Sequence, residues 1–307
     1  MPEPEGDKPE TVRVERVEKL APRRPEGHKG DYGRLLIVGG SRGMIGAVAL
    51  AANAAFRAGA GLVTFAAPET VQLTVAGLCP CATSIPLECD ESGLLDDEAA
   101  RQIESASGRF DVLAVGPGMG LGAGQKRILS WALSRQWPLV TDADGLNNLA
   151  NLTGWPAVRK APLVLTPHPG EFARLTGRGI AYIQADRENA ARRAVAEWIG
   201  ALGPDAPPLV CVLKGAGTVV TDGRRVYVND TGNPGMASGG AGDVLTGVVA
   251  ALIGQGMAPF DAACLGVKVH GLAGDVAAER LGQPSVMATD LLDDLPEAMR
   301  RVLEADA

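Results

Sequence analysis

The chain has 307 residues, 46% of them hydrophobic, which is enough apolar material for one large α/β domain or two small ones. A net charge of −7 without a basic stripe argues against a nucleic-acid partner. The odd set Cys79, Cys81, Cys89, Cys211 and Cys264, with no CxxC pair, reads as reduced cytoplasmic thiols rather than a disulfide framework or zinc site.

Residues 1 to about 28 are rich in Pro, Glu, Arg and Lys and read as a solvated or extended arm with no secretory leader pattern. From Arg34 the pattern becomes regular. Strands are expected at Leu35–Val38, Leu62–Phe65, Val112–Val115, Leu139–Thr141, Leu163–Thr166 and Val210–Leu213. Helical stretches lie between most of them, notably Gly46–Ala58, Lys126–Ser134 and Arg187–Ala201. Bare apolar strands alternating with helices imply a parallel sheet covered on both faces. Thr218–Thr221 and Arg224–Val228, joined by Asp222-Gly223, read as a β-hairpin. A helical block, Val244–Gly254, Pro259–Leu281 and Thr289–Leu303, closes the chain. The uncharged run 244–260 is broken by Gly, Gln and Pro and is short for a membrane span, so it reads as a buried helix with its exit turn. The expected fold is α/β: one doubly wound α/β/α sandwich with a mostly parallel central sheet over residues 29–307. Ligands in such sheets sit outside the C-terminal ends of the strands, and every glycine cluster here follows a strand.

The most telling cluster is Gly239-Gly240-Ala241-Gly242-Asp243, followed at once by an apolar helix pattern. Small residues leave backbone N–H groups uncovered, and a helix start adds unpaired donors and a partial positive charge. The turn at Gly240, Ala241 and Gly242 should hold an anion, and Asp243 beside it is the candidate catalytic base.

Val38-Gly39-Gly40-Ser41-Arg42-Gly43-Met44-Ile45-Gly46 resembles a dinucleotide turn, but glycine spacing alone is weak. The Tyr and Lys four residues apart that short-chain dehydrogenases need are missing: Leu36, Asp186 and Thr231 follow Tyr32, Tyr182 and Tyr227. A ligand-lining turn with its helix end near Ala47 and a plain tight turn both stay open. Gly116-Pro117-Gly118-Met119-Gly120 carries the same two readings. In Asp142-Ala143-Asp144, Asp144 is expected to cap a helix and Asp142 to face the site. His168, clamped between Pro167 and Pro169, is a ligand-contact candidate. Glu171, in a first helical turn, either complements the dipole or orders water around a phosphate-carried Mg2+. Lys214-Gly215-Ala216-Gly217-Thr218 suits a nucleotide phosphate tail, although GxxxxGK[ST] is absent.

In order from about His28 onward, these segments resemble the ribokinase-like superfamily and, more closely, its ADP/ATP-dependent NAD(P)H-hydrate dehydratases. His28-Lys29-Gly30, 58–63 (Ala-Gly-Ala-Gly-Leu-Val) and 232–243 carry the resemblance together with the motifs above. The chain departs at Ala241 and Ser238, where many relatives carry Thr; a backbone N–H survives either change. The resemblance implies dehydration of NADHX or NADPHX with ADP or ATP as co-substrate and Mg2+. It implies that Asp243, Gly240, Ala241 and Gly242 catalyse, that Lys214, Gly215, Ala216, Gly217, Thr218 and Gly242 bind the adenine nucleotide, and that Ala47, Gly118, His168 and Asp243 contact the hydrate. It further implies a homotetramer and one reaction rather than two, since only a short arm precedes His28. A vitamin-precursor kinase of the same superfamily is the rival reading.

Overall fold

The computed structural model describes residues 11–106, 110–203 and 205–304. Its strands are β1 (Val12–Arg13), β2 (Arg34–Val38), β3 (Leu62–Pro68), β4 (Thr83–Leu87), β5 (Val112–Val115), β6 (Leu139–Thr141), β7 (Leu163–Leu165), β8 (Leu209–Leu213), β9 (Val219–Thr221) and β10 (Arg225–Val228). They form one sheet in the order β1-β10-β9-β8-β7-β6-β5-β2-β3-β4. From β4 to β8 every neighbouring pair is parallel, while β9 and β10 turn antiparallel as the expected hairpin. All residues of β5, β6, β7 and β8 are buried, which explains why they read as unbroken apolar runs.

The helices are α1 (Ile45–Arg57), α2 (Glu69–Leu78), α3 (Ala99–Ala106), α4 (Ala123–Leu133), α5 (Asp144–Leu149), α6 (Trp155–Val158), α7 (Pro169–Thr176), α8 (Ile180–Ala185), α9 (Arg187–Gly200), α10 (Ala241–Gly254), α11 (Pro259–Leu281) and α12 (Ala288–Glu304). Alternate strand residues feed two cores. Leu35, Ile37, Val112 and Val140 pack with α1, α2, α10, α11 and α12. Leu36, Val38, Leu113 and Leu139 pack with α3 to α9. Period-two alternation in the strands thus builds both faces of the expected sandwich.

Two segments sharpen the sequence reading. Of the two readings of the arm, the extended one holds from Val12: the Val12 and Val14 amides donate to the Arg224 and Val226 carbonyls at 3.0 and 2.8 Å, and Val14, Val17 and Leu20 pack on the core. Residues 1–10 of the arm lie outside the described residues. β4 carries no bare apolar run, because as an edge strand it buries only Ile85 and Leu87 and tolerates Pro86.

The chain runs from β2 outward to β3 and β4, then returns to β5 on the other side of β2. This reversal opens a crevice beyond the C-terminal ends of β2 and β5, where α/β sheets place their ligands.

Candidate active site

Five loops leave the C-terminal strand ends and are tied to one another. The Gly40 amide donates to Pro117 O at 2.8 Å, Thr166 N to Thr141 O at 3.1 Å, and Lys214 N to Pro167 O at 2.9 Å. The Gly120 amide donates to Asp144 Oδ2 at 2.9 Å. Backbone groups that the sheet no longer pairs are thereby satisfied between loops, giving a continuous floor.

Over this floor stands the start of α10. Gly240 is its N-cap, in the left-handed region at φ +93°. A Cβ there would lie 2.7 Å from Leu50 Cδ1, so conformation and packing both select glycine. The amides of Ala241, Gly242 and Asp243 belong to the first turn and have no intrahelical acceptor. Asp243 is partly exposed. Burial, then the carboxylate of Asp142, push its pKa up to about 7; Lys214 pulls it partly back, and Asp144 and Glu171 raise it further. A carboxyl that titrates near neutrality beside free helix-start donors is equipped to take a proton from a ligand hydroxyl.

Behind Asp243 lies a buried polar cluster. Asp142, 1% exposed, accepts from Lys214 Nζ at 2.5 Å and from Thr246 Oγ1 at 2.8 Å. Glu171 Oε2 lies 3.9 Å from the same ammonium. Burial would depress the Lys214 pKa, but Asp142, Glu171 and Asp243 outweigh it and hold it above the usual lysine value. Glu171 Oε2 also accepts the His168 amide at 2.8 Å, while His168 Nδ1 accepts the Gly170 amide at 2.9 Å, a reciprocal cap on α7. Burial and then the cations Lys214 and Arg174 lower the His168 pKa.

The candidate residues fall into two groups around this centre. On one side, Gly215, Ala216 and Gly217 are exposed at the rim, with the Thr218 hydroxyl donating to Gly215 O at 2.9 Å. On the other, Gly118 lies against α1: a Cβ on it would stand 2.9 Å from Ala47 Cβ. His168 is exposed between the ends of β7 and α7. Asp144 departs from its expected capping role. Ala143, at φ +49°, is the N-cap of α5 and makes no side-chain cap bond. Asp144 is the first helical residue, and its carboxylate faces back to hold Gly120 of the neighbouring loop.

A family model for NAD(P)H-hydrate dehydratase matches residues 35–297. The bifunctional NAD(P)H-hydrate repair enzyme of Moorella thermoacetica is 47% identical over 289 residues, covering 93% of this chain and 53% of that protein. The ADP/ATP-dependent NAD(P)H-hydrate dehydratase of Bacillus subtilis, co-crystallised with ATP and Mg2+, superposes with a TM-score of 0.79 at 30% identity, covering 92% of this chain and 95% of that one. A ribokinase-like superfamily protein of Enterococcus faecalis follows at 26% identity and a TM-score of 0.74, with 92% of each chain covered. The chain belongs to the NAD(P)H-hydrate dehydratase family. It spans about half the length of the curated relatives it matches. Its mostly parallel sheet flanked by helices is the ribokinase-like fold of its structural neighbours.

Among the described residues no group of three or more His, Cys, Asp and Glu side chains is arranged to hold an ion. The Glu171 carboxylate is already engaged by the His168 amide. Glu171, buried beside Lys214, is the acidic side chain whose expected contact with a phosphate-carried Mg2+ would run through water.

Sequence reading did not single out three supporting residues of this candidate site. Thr246 is the one hydroxyl in the apolar stretch Val244–Ile253. His270 Nε2 lies 2.8 Å from Ala241 O. Asp275 accepts from Gly232 N at 2.8 Å and Asn233 Nδ2 at 2.9 Å, clamping the approach to the glycine turn onto α11. Polar residues isolated in apolar helices were the available signal.

Proposed function

We propose that this chain dehydrates NADHX and NADPHX, the hydrated forms of the reduced nicotinamide cofactors, at the expense of ADP or ATP. The observation that carries the reading is the position of Asp243: a carboxyl in the first turn of α10, whose first amides have no intrahelical acceptor, beside the Lys214 ammonium and raised by burial to a pKa of about 7. Phosphoryl transfer needs such a base together with preorganised donors for the developing charge.

Asp243 takes the proton of the C6 hydroxyl on the hydrated ring. The oxygen attacks the terminal phosphorus of the nucleotide, and AMP or ADP departs. The amides of Gly240, Ala241 and Gly242 hold the charge on the transferring group. The C6–O bond then breaks, phosphate leaves with the bonding electrons, a proton leaves C5, and the ring double bond returns. Lys214, Gly215, Ala216, Gly217 and Thr218, with Gly242, take the adenine nucleotide. Ala47, Gly118 and His168 hold the hydrate against Asp243. A Mg2+ bound to the phosphates would offset their charge, with Glu171 ordering its water.

Residues 29–307 form the catalytic domain in this reading. The protein is cytoplasmic, as five unpaired cysteines favour, and a homotetramer. No described helix is long and apolar enough to cross a membrane. Sedimentation gives the assembly state directly. The chemistry is tested by mixing the protein with NADHX and ADP while following 340-nm absorbance and free phosphate. Equal recovery of NADH and release of phosphate is expected. A stable phosphoester product in place of phosphate would establish the small-molecule kinase alternative.

A further inference from the structure

We propose that Asp142 and Thr246 are positioning residues that fix the Lys214 ammonium against the first turn of α10, where its charge meets the terminal phosphate of the bound nucleotide. The inference rests on the dehydratase reading only for naming that nucleotide as ADP or ATP.

Three elements that are distant in sequence converge on one carboxylate. Asp142 leaves the end of β6, Lys214 the end of β8, and Thr246 stands one turn into α10. Lys214 Nζ and Thr246 Oγ1 take the two oxygens of Asp142 separately, at 2.5 and 2.8 Å. Thr246 is fully buried and Asp142 nearly so. Folding does not account for this arrangement. A buried ion pair surrenders much of its Coulombic gain to desolvation, and apolar residues of like volume commonly serve as well or better.

The geometry points to presentation of charge. A lysine stem carries about 2 kcal/mol of rotamer entropy, and the Asp142 contact has already removed that freedom before a ligand arrives. Lys214 Nζ lies 3.2 Å from where a Cβ on Gly242 would stand, so the missing side chain leaves the ammonium open to the anion-holding turn. Thr246 is the link to α10 itself: its hydroxyl lies 3.2 Å from Gly242 O as well as bonding Asp142. Asp243 and Lys214 are thereby held in one register, although 29 positions separate them in the sequence. Glu171, at 3.9 Å, is the second anion beside the ammonium but belongs to the α7 cap.

The test compares ADP with AMP, which differ by the phosphate Lys214 is held to meet. Dissociation constants for both nucleotides, kcat and KM are measured for the wild type, T246V, T246S and D142N. Valine keeps the volume of Thr246 and removes only the hydroxyl. T246V should weaken ADP by about tenfold, the worth of a charge-assisted hydrogen bond, and leave AMP unchanged. Its kcat should fall roughly 10- to 100-fold, as slight misplacement of a reacting group does, with KM for the hydrate unmoved. T246S should restore both values, and D142N should exceed T246V in each. An ADP-to-AMP ratio in T246V equal to that of the wild type overturns the proposal. So does a parallel loss of both nucleotides that tracks a fall in Tm, or a wild type that binds ADP no more tightly than AMP. If the wild type fails to turn over NADHX, the dehydratase reading falls, while the nucleotide ratio still decides the positioning role.

Discussion

His270 Nε2 lies 2.8 Å from the carbonyl oxygen of Ala241, the first residue of the helix that carries Asp243. Burial pushes the His270 pKa down to about 4, against partial support from that carbonyl. The ring is therefore neutral at physiological pH, and its Nε2–H donates. Removing it should loosen the start of α10: H270A is expected to lose about tenfold in kcat, and H270Q, whose amide can still donate, should recover most of it. The depressed pKa also sets a stability slope. The unfolded ring binds its proton near pH 6.5 and the folded ring only near 4, so this contribution is complete above 6.5 and is lost as pH falls towards 4. Over that window it amounts to roughly 3 kcal/mol. Thermal melts at pH 7 and pH 5 should show a smaller acid loss in H270Q than in the wild type; equal slopes would show that His270 charges without penalty.

Asp243 titrates in the opposite sense. Its pKa rises from 3.8 to about 7 on folding, chiefly through burial and Asp142. Between pH 3.8 and 7 the folded state holds a proton that the unfolded state releases, so stability falls as pH rises through that window and the penalty is complete above 7. Activity needs that ionised form. The kcat/KM of the wild type should rise with pH through an apparent pKa near 7 and then level. D243N should be reduced by about 10²- to 10⁴-fold, the usual loss on removing a positioned base, and still bind ADP. Its Tm should exceed the wild type's at pH 8 by more than at pH 5. An acid limb below pH 5 in the wild type would show that Asp243 is not the titrating base.

Gly118 couples the two loops of the crevice. It sits at φ +59°, and a Cβ on it would meet Met44 O at 2.7 Å and Ala47 Cβ at 2.9 Å. G118A must either leave the left-handed region or push the start of α1 away. We expect a loss of about 1–3 kcal/mol in stability and a raised KM for the hydrate, with the ADP dissociation constant unchanged because Gly215–Gly217 lie elsewhere on the rim. Denaturant titration and a two-substrate kinetic series check both halves.

The strands of the sheet's middle were readable because they are buried on both faces, and sequence patterns report burial. Val112–Val115 matched residue for residue, and the closing helical block matched to within three residues, its first helix starting at Ala241 instead of Val244. The glycine turn before Asp243 was readable for a related reason: only small residues permit its φ and its packing on Leu50. What did not show was the choice of partner. Asp144 has the right residue type for a helix cap, yet Ala143 takes the cap and the Asp144 carboxylate reaches Gly120, 24 residues earlier. Local spacing reports local hydrogen bonds, whereas this one depends on β5 and β6 lying side by side. Asp142, Thr246 and Lys214 show the same limit, since their meeting is a property of strand order.

Arg159, at the N-terminal ends of β7 and β8, opposite the strand ends that carry the site, gives a prediction that separates stability from function. It is 3% exposed. Its Nη1 donates to the Pro207 carbonyl and, at 3.4 Å, to that of Pro208, while Nε and Nη2 find no hydrogen-bond partner among the described residues. Burial lowers its pKa to about 10, the mark of a cation held without a compensating anion. R159M keeps the apolar stem and removes the charge. Pro208 O retains the Leu163 amide at 2.9 Å, so the main loss is one donor to Pro207, about 1 kcal/mol. Relief of a buried cation is worth roughly 1–4 kcal/mol and should win. A Tm raised by a few degrees is expected, with kcat and both KM values unchanged because the residue lies at the strand ends away from Asp243. A lower Tm in R159M would mean that the two carbonyl contacts outweigh the desolvation of the guanidinium.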